Sequence, residues 1–245
     1  MEIPKGHPRY ESLKRREALI DFYEKGIVTV SGLISHGRGE AFDYIIGEKS
    51  RPFAIEAEKA ALDRILNSRN AVISVNGNVA ALAGKEIADF ARKFGVTVEA
   101  NIFYWSKERM EKIVSLFRRM GLEVLGMNQD ALIPGLDSNR GKCESAGIFS
   151  ADTVLIPLED GDRAEALKKM GKFVISLDLN PLSRTSRYSD ITIVDDVTRT
   201  FRNFLEFRES DYSGHSSSFN NASNVKEAIS FMADRLRSLK NWPDL

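Results

Sequence analysis

The sequence predicts an α/β fold with a Rossmann-like, mostly parallel, doubly wound sheet and flanking helices. Short apolar runs rich in β-branched residues recur through the middle of the chain, and segments with helical spacing of apolar residues separate them. The runs are apolar at consecutive positions, which is typical of strands that are covered on both faces. This alternation of strand and helix places ligands at the carboxyl ends of the strands.

The predicted strands are six runs, at residues 71–75, 97–103, 124–125, 153–158, 173–177 and 191–194. Between them, residues 110–120 carry apolar side chains at helical spacing. Ser106 is suited to begin that helix as an N-cap, and Gly121 is suited to end it. Residues 87–94 repeat the pattern before Gly95. These segments supply the helices that a parallel sheet requires between successive strands.

The remaining segments set the expected domain organisation. Residues 8–25, which end at Gly26, and residues 55–66 are predicted helices, and residues 225–239 form an amphipathic helix. Its apolar stripe consists of Val225, Ile229, Met232, Leu236 and Leu239. We expect one catalytic domain with an amino-terminal helical segment, a flexible linker and a carboxyl-terminal helix that packs on the core or on a second subunit. Their ranges are 1–209, 210–223 and 224–245.

Composition restricts the partners and the location of the protein. The 245 residues include 35 Lys and Arg and 35 Asp and Glu, so no net charge attracts nucleic acid or an anionic membrane. The single cysteine, Cys143, excludes an intramolecular disulfide and fits a reducing compartment. The first 14 residues are polar, and no apolar run approaches the ~20 residues that a bilayer requires. We expect a cytoplasmic protein that binds a small ligand.

Polar residues concentrate directly after the predicted strands. The segments are 76–78, 159–163 and 178–187. Asp178 ends a strand, where a carboxylate can accept hydrogen bonds from ribose hydroxyls. Ser183, Arg184 and Thr185 offer donors to phosphate oxygens. Residues 178–181 alone fit an ordinary Asx turn, but a second arginine in the same segment, Arg187, favours a nucleotide site.

A second polar cluster spans residues 36–40. Gly37 and Gly39 would let backbone N–H groups approach a phosphate, and Arg38 could bind it through two hydrogen bonds. An ordinary surface turn explains the same residues equally well, and the segment matches neither a Walker loop nor a dinucleotide fingerprint. His36 could act as a general base, although a lone histidine is more often structural.

Two further groups of charged residues have more than one interpretation. Arg16 lies on a helical stripe with the apolar Leu13, Ile20 and Tyr23, so it needs a partner such as Glu17 or Glu40. Glu159, Asp160 and Asp162 offer oxygen ligands to Mg²⁺, which usually binds one or two carboxylates together with substrate phosphates, and we expect Asp160 and Asp162 to be the ligands. Turn and helix-capping roles compete, because Asp162 stands where a cap would begin the next helix.

Five groups of residues, taken in order, resemble the archaeal phosphopantothenate synthetases, or 4-phosphopantoate–β-alanine ligases. They are IPK at 3–5 with HPRY at 7–10, GLI at 32–34 with HGRGEAFDY at 36–44, SVNGN at 74–78, PLEDGDR at 157–163 and DLNPLSRT at 178–185. The resemblance implies a homodimeric ligase of coenzyme A biosynthesis, which joins 4-phosphopantoate to β-alanine while ATP is converted to AMP and diphosphate.

The resemblance also implies which residues contact ATP. They are Arg16, Arg38, Asp178, Leu179, Asn180, Arg184, Thr185, Asp196 and Val197. The family often has Asn after the Asp that follows the last strand, whereas this chain has Asp195 and then Asp196. An added carboxylate beside a nucleotide would either repel phosphate or bind a cation.

We expect catalysis by positioning and charge neutralisation, with Arg38, Arg184 and His36 as the catalytic residues and an acyl adenylate as intermediate. Asn76, Asn78 and His36 are the residues expected to bind phosphopantoate, because they follow strands. The same clusters would also suit a nucleotide-binding regulator without activity, or a kinase that acts on a pantoate-like acid and releases ADP.

Overall fold

The computed structural model describes residues 4–7, 9–136 and 139–238, and its centre is a five-stranded parallel sheet. Its strands are β1 (Ala71–Val75), β2 (Thr97–Ala100), β5 (Thr153–Pro157), β6 (Phe173–Leu177) and β7 (Ile191–Ile193). The strand order is β2–β1–β5–β6–β7, and all neighbouring pairs run parallel. A separate antiparallel hairpin consists of β3 (Ala131–Leu132) and β4 (Lys142–Cys143). The predicted α/β fold with a parallel sheet is confirmed.

Eleven α-helices occur among the described residues. They are α1 (Tyr10–Glu24), α2 (Val30–Ile46), α3 (Pro52–Leu66), α4 (Gly77–Phe94), α5 (Lys107–Arg119), α6 (Gly161–Lys169), α7 (Arg184–Arg187), α8 (Val197–Glu206), α9 (Glu209–Tyr212), α10 (His215–Ser218) and α11 (Asn221–Ser238). Ser106 accepts a hydrogen bond from the Arg109 N–H and begins α5, as predicted, and Gly95 ends α4 in a left-handed conformation. None of these helices is both long enough and apolar enough to cross a membrane. Pro8, where the first helix was predicted to begin, lies outside the described residues.

Two predicted strands are shorter in the structure by more than one residue. The run at 97–103 stays in the sheet only to Ala100. The run at 124–125 contributes a single bridge between Glu99 and Leu125. Gly126 follows with φ of 128°, and a Cβ at this position would lie 2.5 Å from the Ala100 carbonyl oxygen. This left-handed residue therefore turns the chain away from the sheet before a strand can form.

Residues 36–40 form neither a phosphate loop nor a turn, because they lie inside α2. Thr29 caps this helix by accepting a hydrogen bond from the Gly32 N–H, and Gly47 ends it with φ of 93°. Inside an α-helix the backbone N–H groups donate to carbonyls four residues earlier, so they are not free to bind phosphate. The two glycines of this segment therefore leave space on the helix surface, where Gly39 faces Leu179.

The sheet is covered on both faces, as its continuous apolar strands predicted. Ile73, Leu155 and Ile175 belong to a core that includes residues of α3, α4, α5 and α8. Val72 and Val154 point to the other face, where α6 and the hairpin pack. Burial of alternate strand residues on opposite faces fixes the strand register, because a shift by one residue would exchange the faces.

The segment at 210–223, which composition predicted to be a linker, instead contains two short helices and the first turn of α11. Its backbone is held by Asp63 of α3, which accepts hydrogen bonds from the N–H groups of Gly214 (3.1 Å) and Ser216 (2.9 Å). Helix α11 then packs on α2 and α3 and buries Ala228 and Met232. These contacts place α11 against other helices of the same chain. Leu239, the last residue of the predicted stripe, lies outside the described residues.

The helical assignment of residues 36–40 predicts the effect of Gly37→Ala. Gly37 is exposed inside α2, and a Cβ added there would meet no atom of a neighbouring element within 4 Å. Because alanine favours a helix interior over glycine, we expect this change to raise the free energy of unfolding by about 1 kcal/mol. Urea denaturation measures it. Gly126→Ala is the matched control and should be destabilising, since φ there is 128°. A destabilised Gly37→Ala protein would contradict the helix.

Candidate functional site

A cavity of about 820 Å³ opens at the carboxyl ends of the strands, where the strand order reverses between β1 and β5. Connections leave these two neighbouring strands in opposite directions, which is where ligands bind in open α/β sheets. The Asn76 side chain spans the crevice, since its Nδ2 donates to the Leu158 carbonyl oxygen at 2.9 Å. Its Oδ1 also caps α4 by accepting from the Val79 N–H at 3.1 Å.

Most residues predicted for the site line this one cavity. They are His36, Arg38, Asn76, Asn78, Asp160, Asp178, Leu179, Asn180, Arg184, Thr185, Asp196 and Val197. Arg38 from α2 and Arg184 from α7 therefore face the same space, although 145 other residues separate them in the chain. The predicted residues Arg16 and Asp162 do not line it.

The segment between β6 and α7 forms one wall. Oδ1 of Asp178 accepts a hydrogen bond from the Asn180 N–H at 2.9 Å, so the Asx turn that the sequence allowed is present within the cavity wall. Burial raises the pKa of Asp178, and Arg38 is the cation near it. Thr185 Oγ1 donates to the Glu159 carbonyl oxygen at 2.7 Å and fixes α7 to the end of β5. Arg184 forms an ion pair with Glu165.

Glu159 stabilises the neighbouring wall of the cavity, which the segment after β5 forms. Its carboxylate is buried between Arg140 and Arg163, and its Oε2 lies 2.6 Å from Nη1 of Arg163. Burial alone would raise the pKa of Glu159, but the two guanidinium groups outweigh burial and lower it. Arg163 also donates to the Ser74 hydroxyl of β1 at 2.9 Å. This buried network therefore holds β1 and the segment after β5 in fixed relative positions.

The two predicted metal ligands separate in the structure. Asp160 lines the cavity and pairs with Arg140, and burial is the main cause of its raised pKa. Asp162 lies at a smaller neighbouring pocket, and its Oδ1 accepts from the Arg163 N–H at 2.9 Å. Asp160, not Asp162, is the residue that precedes α6. No cluster of three or more His, Cys, Asp and Glu suited to a metal ion occurs within 4–7, 9–136 and 139–238.

Arg16 binds one of the two carboxylates that the sequence suggested. Its Nη2 lies 2.7 Å from Oε2 of Glu40, and Ser12 donates to the same carboxylate at 2.6 Å. Burial raises the pKa of Glu40, but the hydrogen bonds from Arg16 and Ser12 prevail and lower it to about 2. Burial lowers the pKa of nearby His36, which favours the neutral imidazole, and its buried Nε2 has no hydrogen-bond partner among the described residues.

The charge of Asp196 is offset within the protein. Oδ1 of Asp196 caps α8 by accepting from the N–H groups of Thr198 (3.0 Å) and Arg199 (3.1 Å). The same oxygen lies 3.3 Å from Nη2 of Arg15, which belongs to α1. The carboxylate at this position, where the sequence raised the question of repulsion, therefore has a cationic partner beside the cavity.

Several residues of the cavity were not predicted from the sequence. They are Thr29, Ser31, Tyr104, Arg109 and Arg140. The strand predicted at 97–103 extends past Ala100, where β2 ends and a polar and aromatic segment begins. A predicted strand that ends at Ala100 would place Tyr104 and Arg109 in the segment after it. Ligands bind after the strands in such a fold, so both residues would then have been predicted for the site.

Comparison with known proteins identifies related sequences. A family model described as phosphopantothenate/pantothenate synthetase matches residues 53–235. The 4-phosphopantoate–β-alanine ligases of Thermococcus onnurineus and Thermococcus kodakarensis are each 46% identical to this chain, over 98% of it and 95% of their own lengths. The 4-phosphopantoate–β-alanine ligase of Methanospirillum hungatei is 43% identical over 96% of this chain and 98% of its own length. The relatives thus match α1 and α2, which precede the region of the family model.

The lowered pKa of Glu40 predicts a pH-dependent contribution to stability. Because its folded-state pKa lies below the ordinary value of 4.5, its stabilising effect should be complete above pH 4.5 and lost as the pH falls toward about 2. Wild type should exceed Glu40→Gln in free energy of unfolding by about 1 kcal/mol at pH 7 and by clearly less at pH 3. Urea denaturation at both pH values tests this, with Glu123→Gln at an exposed ion pair as control. Equal differences at both pH values would refute it.

Proposed function

Because the chain belongs to the phosphopantothenate/pantothenate synthetase family, we propose that it condenses 4-phosphopantoate with β-alanine, using ATP and releasing AMP and diphosphate. The protein is on this basis a carbon–nitrogen bond-forming ligase of coenzyme A biosynthesis. The observation that carries the proposal is that Arg38, Asp178 and Arg184 all line one cavity at the switch point of the sheet. The size of the cavity leaves room for a second substrate beside the nucleotide. A regulator that binds only a nucleotide would not need this additional space.

The nucleotide is proposed to bind against the wall after β6. Asp178 would accept hydrogen bonds from ribose hydroxyls, while Arg38 and Arg184 bind phosphate oxygens. Leu179, Asn180, Thr185, Asp196 and Val197 complete the proposed contacts with ATP. Arg16 remains a proposed contact as well, and it would have to exchange its bond with Glu40 for one with the nucleotide.

The proposed reaction has two steps. The carboxylate of phosphopantoate attacks the α-phosphorus of ATP, the bond to the bridging oxygen breaks, and diphosphate leaves with the electron pair. The amine of β-alanine then attacks the acyl carbon of the adenylate, AMP leaves, and the nitrogen loses a proton. Arg38 and Arg184 stabilise the charge that develops on the phosphates, and the neutral His36 is the proposed proton acceptor.

Phosphopantoate is proposed to lie beside Asn76, Asn78 and His36. The two amides also hold the walls together, because Asn78 Nδ2 donates to the Gly32 carbonyl oxygen at 2.7 Å and Asn76 spans the crevice. Each side chain therefore presents only its remaining hydrogen-bonding capacity to a substrate.

Mg²⁺ is proposed to accompany ATP. Of the two predicted ligands, Asp160 fits, because its carboxylate reaches the cavity while Asp162 faces another pocket. Mg²⁺ usually takes one or two carboxylates together with phosphate oxygens, so a single protein carboxylate is sufficient. The bound ion would neutralise part of the triphosphate charge.

A homodimer is the proposed assembly. Helices α1 and α2 contact each other, and both expose large apolar side chains, which are Ile20 (52% exposed) and Tyr23 on α1 and Val30 and Ile34 (62% exposed) on α2. Exposed apolar surface of this kind is typical of contacts between subunits.

The nucleotide product tests the proposed reaction. Wild type incubated with ATP, 4-phosphopantoate and β-alanine should release AMP and diphosphate only when both other substrates are present. ADP would indicate the kinase alternative, and no turnover would indicate a regulator.

Replacement of Arg38 tests its role in that reaction. Arg38→Met should reduce kcat/KM for ATP by about 100-fold, since a charged hydrogen-bond donor to phosphate is lost. Arg118→Met, at an exposed ion pair on α5, should be unaffected. A near-normal kcat/KM in Arg38→Met would remove this arginine from the mechanism.

Substitution of an exposed apolar residue tests the dimer. Ile34→Glu places a charge in the proposed contact and should lower the mass measured by light scattering from that of two chains to that of one. Leu236→Glu, at an exposed position on α11, is the control and should keep the wild-type mass. If only Leu236→Glu dissociates the protein, the contact lies on α11 instead.

A further inference from the structure

The arginines that line the cavity differ in whether a carboxylate balances their charge. Arg140 pairs with Glu159 and Asp160, and Arg184 pairs with Glu165. Arg38 and Arg109, by contrast, form no ion pair with any residue that the structure describes. Within the part of the chain that the structure describes, Arg38 donates only to the Ser35 hydroxyl at 3.1 Å, and Arg109 donates to two backbone carbonyls. The cavity therefore contains two cations that a bound anion could neutralise.

Arg109 is held in a fixed position at the amino terminus of α4. Its Nε donates to the Ile27 carbonyl oxygen at 2.8 Å, and its Nη1 donates to the Tyr104 carbonyl oxygen at 3.0 Å. Its Nη2 lies against the first residue of α4, since a Cβ on Gly77 would come within 2.6 Å of it. Burial lowers the pKa of Arg109, so this guanidinium is partly stripped of water without gaining a counter-charge.

The surroundings of Arg109 favour an anion further. Gly77 and Asn78 begin the 18-residue helix α4, whose amino-terminal turn carries partial positive charge. Hydroxyl groups stand nearby, because Ser31 and Tyr104 hydrogen-bond to each other at 3.2 Å and both line the cavity. Carboxylates of the cavity come from the segments after β5, β6 and β7 instead: Glu159, Asp160, Asp178 and Asp196.

The two arginines that have no carboxylate partner within the described ranges lie on different sides of the crevice. Arg109 belongs to the side of the crevice built after β1 and β2, whereas Arg38 neighbours Asp178 on the side built after β6. The proposed reaction brings together two ligands with phosphate groups. In phosphopantoate the phosphate lies at the end of the molecule opposite the carboxylate that must reach ATP, so it requires an anion site away from the nucleotide.

We propose that Arg109, together with the amino-terminal turn of α4, binds the phosphate of 4-phosphopantoate and makes the enzyme prefer phosphorylated over unphosphorylated pantoate. This assignment rests on the proposed function. A phosphate monoester carries about 1.5 to 2 negative charges near pH 7, so it balances an isolated guanidinium better than β-alanine, whose charges cancel.

The test compares two acids that differ only in the phosphate. With saturating ATP and β-alanine, Arg109→Met should reduce kcat/KM for 4-phosphopantoate by about 30- to 100-fold, while the values for pantoate and ATP change by less than about threefold. The preference for the phosphorylated acid should therefore collapse. Arg109→Lys, which keeps the charge, should retain a measurable part of it, and Arg118→Met should retain all of it.

Three results would overturn the assignment. The first is an unchanged preference for the phosphorylated acid in Arg109→Met. The second is an equal loss of kcat/KM with both acids, which would indicate a purely structural role. The third is a defect confined to the KM for β-alanine. If Arg109→Met does not fold, the same preference is judged in Arg109→Lys, whose retained folding is checked by thermal denaturation. A wild type that forms no AMP refutes the proposed function itself, whereas an active wild type with unaltered variants refutes only the role of Arg109.

Discussion

The reversal of strand order between β1 and β5 is the constraint on which the site depends. It opens the crevice, and a single carboxamide, that of Asn76, joins both sides while it caps α4. Leu158 provides the acceptor for this amide and adopts φ of 50°, a left-handed conformation that is unfavourable for a branched side chain. Local strain of this kind persists only where surrounding contacts enforce it. The carbonyl of Leu158 is thus directed into the crevice by the Asn76 bond and by the pairing of its own N–H with Leu177.

Charge pairing divides the polar residues of the cavity into those that build the walls and those available to ligands. Arg163 is fully buried and forms an ion pair with the buried Glu159, so removal of Glu159 would leave the charge of Arg163 uncompensated in the core. Arg38 and Arg109 have no such partner among the described residues, and each occupies its own side of the crevice. A cavity with fixed anions beneath it and unbalanced cations at its surface suits substrates that carry phosphate.

The sequence predicted the sheet and much of the site because both follow from local patterns. Continuous apolar runs identify parallel strands, and polar residues after them, such as Asp178 and Arg184, converge at one edge. The predictions that were wrong share one cause, because composition does not show tertiary contacts. The glycines near Arg38 suggested a loop, although a Thr29 cap and surface packing make that segment helical. Residues 210–223 looked like a linker because Asp63, whose carboxylate orders them, is far away in the chain.

The first two helices contribute residues to the candidate site and to its surroundings. Helix α2 brings His36 and Arg38 to the cavity, and Asp43 of the same helix binds Arg199 of α8 at 2.6 Å. Helix α1 contributes Arg15, whose guanidinium lies within 3.5 Å of both Asp43 and Asp196. A cation from α1 therefore compensates the charge of Asp196 in this chain. A nucleotide bound beside α8 would meet a neutralised pair instead of an isolated carboxylate.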